Sequence, residues 1–455
     1  MFKEYNQNQI QLLPRSLEES IEKDHIARLI SQVIDEMDAS FIENTYSNIG
    51  QRAYCPKMLL KVLVYGYTIG VRSSRKLDDK LKEDIVFMWL SGRQTPDFRT
   101  IADFRKDRLI DVKKVFLEVL NLCQELGMVR IGKVSVDGTK FRADASGNKT
   151  RYRKVLFKNK ASLENQVDDI LKEADDIDRE EEKLLGNKTE HQTGIDMKEM
   201  EKKLKKMKKR KETLERRKDK LEARKDDING KLRKMRKDRN SMSITDKDAT
   251  MMLMKEGYID SGYNAQFATE HQVILAYGLF SDRNDQKLLK PMVEEIKSNA
   301  GKDPEIIPAD AGYGNRTNYR FLKNRKIIAF IPYNNFNKEM AERRKGIYRL
   351  PKNINIELER YKARQRMRLL SPEGKKMMER RRQDVEPTIG DIKRNMNFRT
   401  FGLRGKPKCL VELGLVSIGH NLKKVKSWIK KMVEYQDGRE KTIALGTALG
   451  YLPSK

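Results

Sequence analysis

Cysteine and histidine are scarce in this chain of 455 residues, which holds three cysteines, Cys55, Cys123 and Cys409, and four histidines, His25, His191, His271 and His420. The cysteines are odd in number and scattered, so they form neither a disulfide framework nor a zinc spacing, and they fit a reducing compartment. The histidines are equally dispersed and read as surface or core residues. No Walker loop or dinucleotide fingerprint occurs, and no small-molecule substrate is expected. No run of about 18 uncharged apolar residues exists to span a membrane; the stretch from Met58 to Val71 is broken by Lys61 and reads as a core helix. The N-terminus lacks a basic region followed by an apolar core, so no signal peptide is expected and the protein is placed in the cytoplasm. With cysteine and histidine set aside, carboxylates are the side chains left to ligate a metal, which favours Mg2+, with Mn2+ as a substitute.

Positive charge, by contrast, is abundant. The chain has 96 Lys and Arg against 67 Asp and Glu, a net +29, and such a balance attracts polyanions, nucleic acid above all. A length of 455 residues predicts two or three domains. Residues 1–125 alternate helical apolar patterns with breaks, from Pro56 to Gly70, from Ser73 to about Trp89, and from Arg99 through Ile110 to Leu126. Pro56 suits a first helical turn and Ser73 or Ser74 an N-cap. Arg72, Arg75, Lys76, Arg99 and Arg105 lie among these short helices. That pattern fits a helix-turn-helix type of DNA binder, and equally a helical packing domain with solvated basic residues.

Residues 151–243 are of another kind. Leu163, Val167, Ile170, Ala174, Ile177 and Leu184 keep a four-three spacing, and after a polar break at 186–194 the seam resumes as Met200, Leu204, Met207, Leu214, Leu221, Ile228, Leu232 and Met235. Sevenfold recurrence on both sides of a turn predicts an antiparallel coiled-coil hairpin. Lys211, Lys218 and Lys225 fall on the seam of the second helix and are expected to weaken it. The stretch Asp196 to Asn240 holds 21 Lys and Arg against 10 Asp and Glu, a difference of +11.

This hairpin splits the remaining part into 126–150 and 244–455. There the patterns predict a first strand ending at Asp137, strands near Tyr263 to Glu270 and Gln272 to Phe280, and a helix from about Asp285 to Asn299. A strand ending at Asp310, a helix near Asn315 to Lys326, a strand Ile327 to Pro332, and late helices around Glu386 and from Cys409 to Met432 follow. Residues 333–371 show little periodicity and read as a loop-rich insertion facing DNA. Three strands followed by helix, strand, helix, strand is the order of an α/β, RNase H-like mixed sheet.

Three acids stand out on this frame. Asp137 closes a strand-like run before Gly138 and Thr139, Asp310 closes another before Ala311, Gly312, Tyr313 and Gly314, and Glu386 lies on a late helix. Singly, each reads as readily as a turn residue or a solvated helix residue. Together, two strand-end carboxylates and a helix packed across them form a place for three oxygen ligands around hard cations. Asp144, Asp246 and Asp248 are nearby acids that end no apolar strand. At about 100° per residue, Arg382, Glu386 and Lys393 fall within roughly 40° of one another, with Val385, Ile392 and Met396 on the opposite face. Such a base, acid, base face suits a metal beside phosphates, or an exposed ion-pair stripe. Pro387 is expected to kink the helix beside Glu386.

In these residues the chain resembles the DDE transposases of bacterial insertion sequences, in the branch whose last acid lies in a Tyr-x2-Arg-x3-Glu-x6-Lys signature. Arg382, Glu386 and Lys393 match its last three members; Glu379 stands where the tyrosine would be. The segments Val134 to Lys140, Gly262 to Gln266, Pro308 to Gly314, and Tyr46 to about Leu109 are similar to family motifs as well. The resemblance implies a DNA transposase with an RNase H-like catalytic domain, in which Asp137, Asp310 and Glu386 bind two Mg2+ ions. These cut the inverted-repeat ends of the element and join them to target DNA. It implies that Arg382 and Lys393 hold phosphates of the element end, that the first domain binds DNA, and that the protein acts at the bacterial nucleoid as a homodimer, since two ends must be joined. A transposase-derived DNA-binding protein without cleavage activity, and a basic coiled-coil nucleic-acid-binding or assembly protein, are the alternatives.

Overall fold

The computed structural model describes residues 16–46, 53–109, 111–147, 150–186, 197–235, 241–349, 355–434 and 440–448. It divides into two units, Met1–Ala145 with Asp248–Lys455, and Ser146–Lys247. Among the described residues no helix is long and apolar enough to cross a membrane.

The larger unit opens with seven helices: α1 (Ile26–Glu36), α2 (Ser40–Glu43), α3 (Pro56–Thr68), α4 (Ser74–Glu83), α5 (Ile85–Ser91), α6 (Phe98–Asp103) and α7 (Val112–Glu125). Local chemistry sets their ends. Pro56 takes the first turn of α3, where its missing N–H costs nothing, and the Asp84 and Asp97 carboxylates cap α5 and α6. A π-helical turn, Phe104–Arg108, follows α6.

Strand β1 (Ser135–Arg142) leads to the smaller unit, which holds β2 (Thr150–Tyr152), α8 (Arg153–Gly186), α9 (Met197–Lys234) and β3 (Ser241–Ser243). There β2 and β3 pair antiparallel, and α8 packs along α9. Contacts of Arg153 with the Met235 carbonyl and of Arg210 with Glu173 require that the two helices run antiparallel. Lys211, expected to weaken the seam, is met by Asp178 and Glu181 of α8. Of the polar break predicted at 186–194, all but Gly186 falls outside the described residues.

The chain returns to the larger unit as β4 (Thr250–Leu253), β5 (Ile259–Glu270), β6 (Val273–Phe280), α10 (Leu289–Ala300), β7 (Ile306–Pro308), α11 (Arg316–Asn324) and β8 (Ile328–Phe330). Then come α12 (Phe336–Arg344), α13 (Ile356–Leu370), α14 (Pro372–Gly390), α15 (Lys406–Glu434) and α16 (Glu440–Ala448). The segment 333–371, expected to be loop-rich, thus carries two helices. Their charged sequences show no clean apolar stripe because α13 is covered only in part, against α11, α14 and β8.

β1 pairs antiparallel with β5, and β5 with β6; β4 pairs with the start of β5. β7 pairs parallel with β8, and isolated parallel bridges Lys133↔Ile306 and Val136↔Ala309 set β7 beside β1. The spatial order is therefore β6, β5, β1, β7, β8, a mixed α/β arrangement.

Two features fix this frame. The buried Glu270 carboxylate accepts the backbone N–H groups of Arg130, Ile131, Gly132 and Lys133 at 2.7–3.1 Å. It thereby holds the entry to β1, where Ile131 adopts φ 59°, a left-handed conformation unfavourable for a β-branched residue. Helix α15 runs between β6 and the helices α3 and α7. It can do so because Gly414 and Gly419 stand where a Cβ would come within 2.7 Å of the Tyr277 hydroxyl and 2.5 Å of Thr68 Oγ1. The N-terminal helices and the sheet consequently share one apolar core, from Leu29 through Phe116 and Phe267 to Leu415.

Candidate active site

Parallel pairing of β1 with β7 brings two of the expected acids together. Val136 bridges Ala309, so the next residue on each strand, Asp137 and Asp310, lie side by side with backbones about 5 Å apart. Asp137 does not end its strand as expected from the sequence. It is the third residue of β1, paired with Phe267, and Gly138 continues the strand opposite Gln266 instead of opening a turn. Asp310 lies just beyond β7, where its carboxylate accepts the Ala311 N–H at 2.6 Å and opens a 3-10 turn, Ala311–Tyr313.

Glu386 comes from α14, which packs on β1. Pro387 lies inside this helix without ending it. The link between Glu386 and Asp137 is Arg381, whose Nη1 donates to Asp137 Oδ2 at 2.9 Å while Nη2 stands 3.8 Å from Glu386 Oε1. Arg381 is only 10% exposed at its side chain, Asp137 20% and Glu386 58%. Burial raises the Asp137 carboxyl above its ordinary pKa, against the lowering effect of Arg381 and the Gly138 N–H; the like charges of Asp310 and Asp285 push it up further. The site thus holds more negative charge than one guanidinium neutralises.

Asp285, which the sequence reading passes over, belongs to a second layer. Asn264 Nδ2 and Gln266 Nε2 both donate to Asp285 Oδ1, at 2.7 and 2.9 Å, and Gln266 Nε2 also donates to Asn264 Oδ1 at 2.8 Å. The Tyr313 hydroxyl donates to Gln266 Oε1, and Tyr313 is fully buried, which raises its pKa well above the ordinary value. A signal for this layer was present: two amides two residues apart share one face of a strand whose neighbours are apolar, and buried amides need partners.

Divalent ions are the group that the acids imply. Asp137, Asp310 and Glu386 supply hard oxygen donors, and Arg381 already brings a cation to two of them, so the donor set fits such ions in kind. Among the described residues no three acidic, histidine or cysteine side chains stand gathered at ligating distance.

The basic residues separate into groups. Arg382 is exposed and lines an open groove of about 700 Å3 together with Asp310, Asn335, Lys338, Lys375 and Arg381. Lys393 lies beyond the end of α14 at Gly390, in a π-helical turn, Asp391–Asn395. Its ammonium meets the Lys140 carbonyl at 3.3 Å and the Phe141 ring, in a half-buried position where desolvation lowers its pKa. Val385, Ile392 and Met396 are buried, as expected. Arg105 cannot face DNA: it is 7% exposed and donates to the Tyr67 hydroxyl and the Arg72 carbonyl, with Tyr67 donating to the buried Glu412. Arg72 is half-buried, with its guanidinium donating to the Thr400 and Asn397 carbonyls over the Phe398 ring. Arg75, Lys76 and Arg99 are exposed.

Two family matches cover parts of the chain. Residues 15–107 match a Transposase domain (DUF772), and residues 343–426 match a Transposase DDE domain. The second includes Arg382, Glu386 and Lys393; Asp137 and Asp310 lie outside both. No curated protein and no solved structure matches the chain.

Proposed function

We propose that this chain, whose two matches are to transposase domains, is a DDE transposase of an insertion sequence that cuts the inverted-repeat ends of its own element and joins them to target DNA. The observation that carries this reading is the side-by-side placement of Asp137 and Asp310 by the Val136↔Ala309 bridge, with Glu386 tied to Asp137 through Arg381. The strand order β6, β5, β1, β7, β8 supports an RNase H-like sheet, and α8 with α9 is read as a coiled-coil arm.

On this reading Asp137, Asp310 and Glu386 would hold Mg2+, or Mn2+ in its place, and such ions when bound would supply a nucleophilic oxygen at neutral pH and offset charge on the leaving 3′ oxygen. The chain's own part is to orient and neutralise. Burial of Asp137 at the root of the site keeps its carboxylate fixed. Arg381 balances it when no DNA is bound, and Arg382 offers a planar donor pair to a backbone phosphate in the groove beside Asp310. Arg75, Lys76 and Arg99 supply backbone contacts from the helical region at 1–125, which carry affinity without reading sequence. Two ends must be joined, so the working form is a homodimer, acting on DNA in the bacterial cytoplasm.

The test is metal-dependent nicking of a DNA fragment carrying the sequences that flank the coding region. Asp137→Asn, Asp310→Asn and Glu386→Gln should each abolish nicking in Mg2+ and in Mn2+ and leave DNA binding in place. Nicking near the wild-type rate by any one variant removes that residue from the site. Binding without nicking by the unaltered protein would mean a DNA-binding protein that does not cut.

A further inference from the structure

The amide of Gln266 occupies the space of a missing side chain. A Cβ on Gly138 would lie 2.0 Å from Gln266 Nε2, so the residue after Asp137 must be glycine for that amide to pass behind β1. On the opposite side of the strand Asp137 faces α14. The amide is held at both ends, because its oxygen accepts from Tyr313 and its nitrogen donates to Asp285 and Asn264. Tyr313 closes the 3-10 turn that Asp310 opens, and a Cβ on Gly312 of the same turn would lie 3.6 Å from Asp285 Oδ2. The turn carrying Asp310 is therefore fastened to β5 through Gln266 and pressed against Asp285, directly behind the backbone of Asp137. Gln266, Asn264 and Tyr313 are all fully or almost fully buried, where a donor or acceptor left unpaired is costly. The hydrogen-bond order from Tyr313 to Gln266 to Asp285 is thus fixed in direction.

We propose that Gln266, oriented by Asp285 and Tyr313, is the positioning residue that sets the spacing between the Asp137 and Asp310 carboxylates. This rests on the reading of those two acids as metal ligands. Gln266 touches neither DNA nor reacting atoms; it acts through the turn. A shift of about 1 Å between catalytic groups costs about 100-fold in rate, so the network should be visible in turnover and in ion binding.

The direction of the hydrogen bonds gives a test that packing alone would not pass. In Gln266→Glu a carboxylate oxygen replaces the N–H that Asp285 Oδ1 and Asn264 Oδ1 accept, so acceptors face one another, whereas Asp285→Asn alone can turn its amide oxygen to the Gln266 and Asn264 N–H groups and keep both bonds. Gln266→Glu should lower the nicking rate about 100-fold and weaken Mn2+ binding, read as bound Mn2+ by electron paramagnetic resonance without DNA. The double variant Gln266→Glu with Asp285→Asn reverses donor and acceptor and preserves net charge. It should return both Mn2+ binding and nicking to within about tenfold of the unaltered protein. Tyr313→Phe removes one hydroxyl and keeps the ring, so it serves where a charged variant does not fold; it should lower kcat and leave KM for DNA unchanged. Gln266→Glu that binds Mn2+ and nicks normally, or folded Gln266→Glu that the double variant fails to rescue, overturns the proposal. Asp137→Asn separates the two levels: if it nicks normally, the reading of the acids fails, whereas if it is inactive while Gln266→Glu and Tyr313→Phe are normal, only the positioning role fails.

Discussion

Replacing Arg381 by methionine should weaken the protein without ions and strengthen its hold on them. Arg381 is 10% exposed and makes a 2.9 Å charge-assisted hydrogen bond to Asp137. Breaking a buried pair from one side costs about 3–5 kcal/mol, but Asp137 keeps 20% exposure and can take up a proton, so a loss of about 2 kcal/mol is expected. Ion binding shifts the other way. A guanidinium about 4 Å from a divalent ion opposes it by about 8 kcal/mol at an effective dielectric constant near 20. On the proposed reading Arg381 would swing aside before the carboxylates fill with metal, toward the groove it lines with Arg382, where a DNA phosphate would be its partner. Methionine removes the opposition, and Mn2+ affinity measured by calorimetry without DNA should rise at least about tenfold, equivalent to about 1.4 kcal/mol. The pH dependence has a definite sign. Asp137 has a raised pKa because of burial first, and loss of Arg381 raises it further. A raised carboxyl contributes stability that is fully present below its unfolded pKa and is lost as pH rises through the folded value. The destabilisation of Arg381→Met should accordingly be largest at neutral pH and shrink on acidification through that value, while Mn2+ affinity falls over the same interval because protons compete. Unchanged stability together with unchanged Mn2+ affinity would refute the idea that Arg381 stands in for the cation.

Arg105→Met should destabilise the protein by about 3 kcal/mol, since it strips a buried charge from Tyr67 and the Arg72 carbonyl. Its salt dependence of DNA binding should stay as it was, and a changed slope with normal thermal stability would return Arg105 to the DNA surface. Replacing residues 155–240 by a short flexible linker should leave the larger unit folded, as no strand of its sheet comes from that segment. The slope of log affinity against log salt should become shallower because a basic arm is lost; an unchanged slope would assign the arm to a protein partner.

Elements set by local pattern were legible in the sequence. Pro56 opens α3, the apolar run before Asp310 forms β7, and the long apolar pattern after Cys409 forms α15, because each depends on neighbours within one or two turns. The adjacency of Asp137 and Asp310, by contrast, comes from the pairing of β1 beside β7 across the chain. What escaped depends on partners far along the chain. Arg105 and Arg72 read as DNA-facing or solvated, since nothing in a short window distinguishes an outward basic residue from one facing the carbonyls of Asn397 and Thr400 or of Arg72 itself. The π-helical turn at Asp391 escaped as well, since a constant 100° per residue was read through from Glu386 to Lys393.

Gly138 shows most clearly where local reading stops. Following an aspartate it predicts a turn, because that pair is a common hairpin corner. Its actual role is set by Gln266, on a strand more than a hundred residues later in the chain, whose amide fills the space a side chain would take. The same glycine thus keeps β1 running past Asp137 and lets the network behind it reach Tyr313. A Gly138 substitution would then act on the carboxylates without touching them, through the turn that carries Asp310, so on the proposed reading the site is a strand residue and a turn residue held in register by a buried amide and not three acids alone.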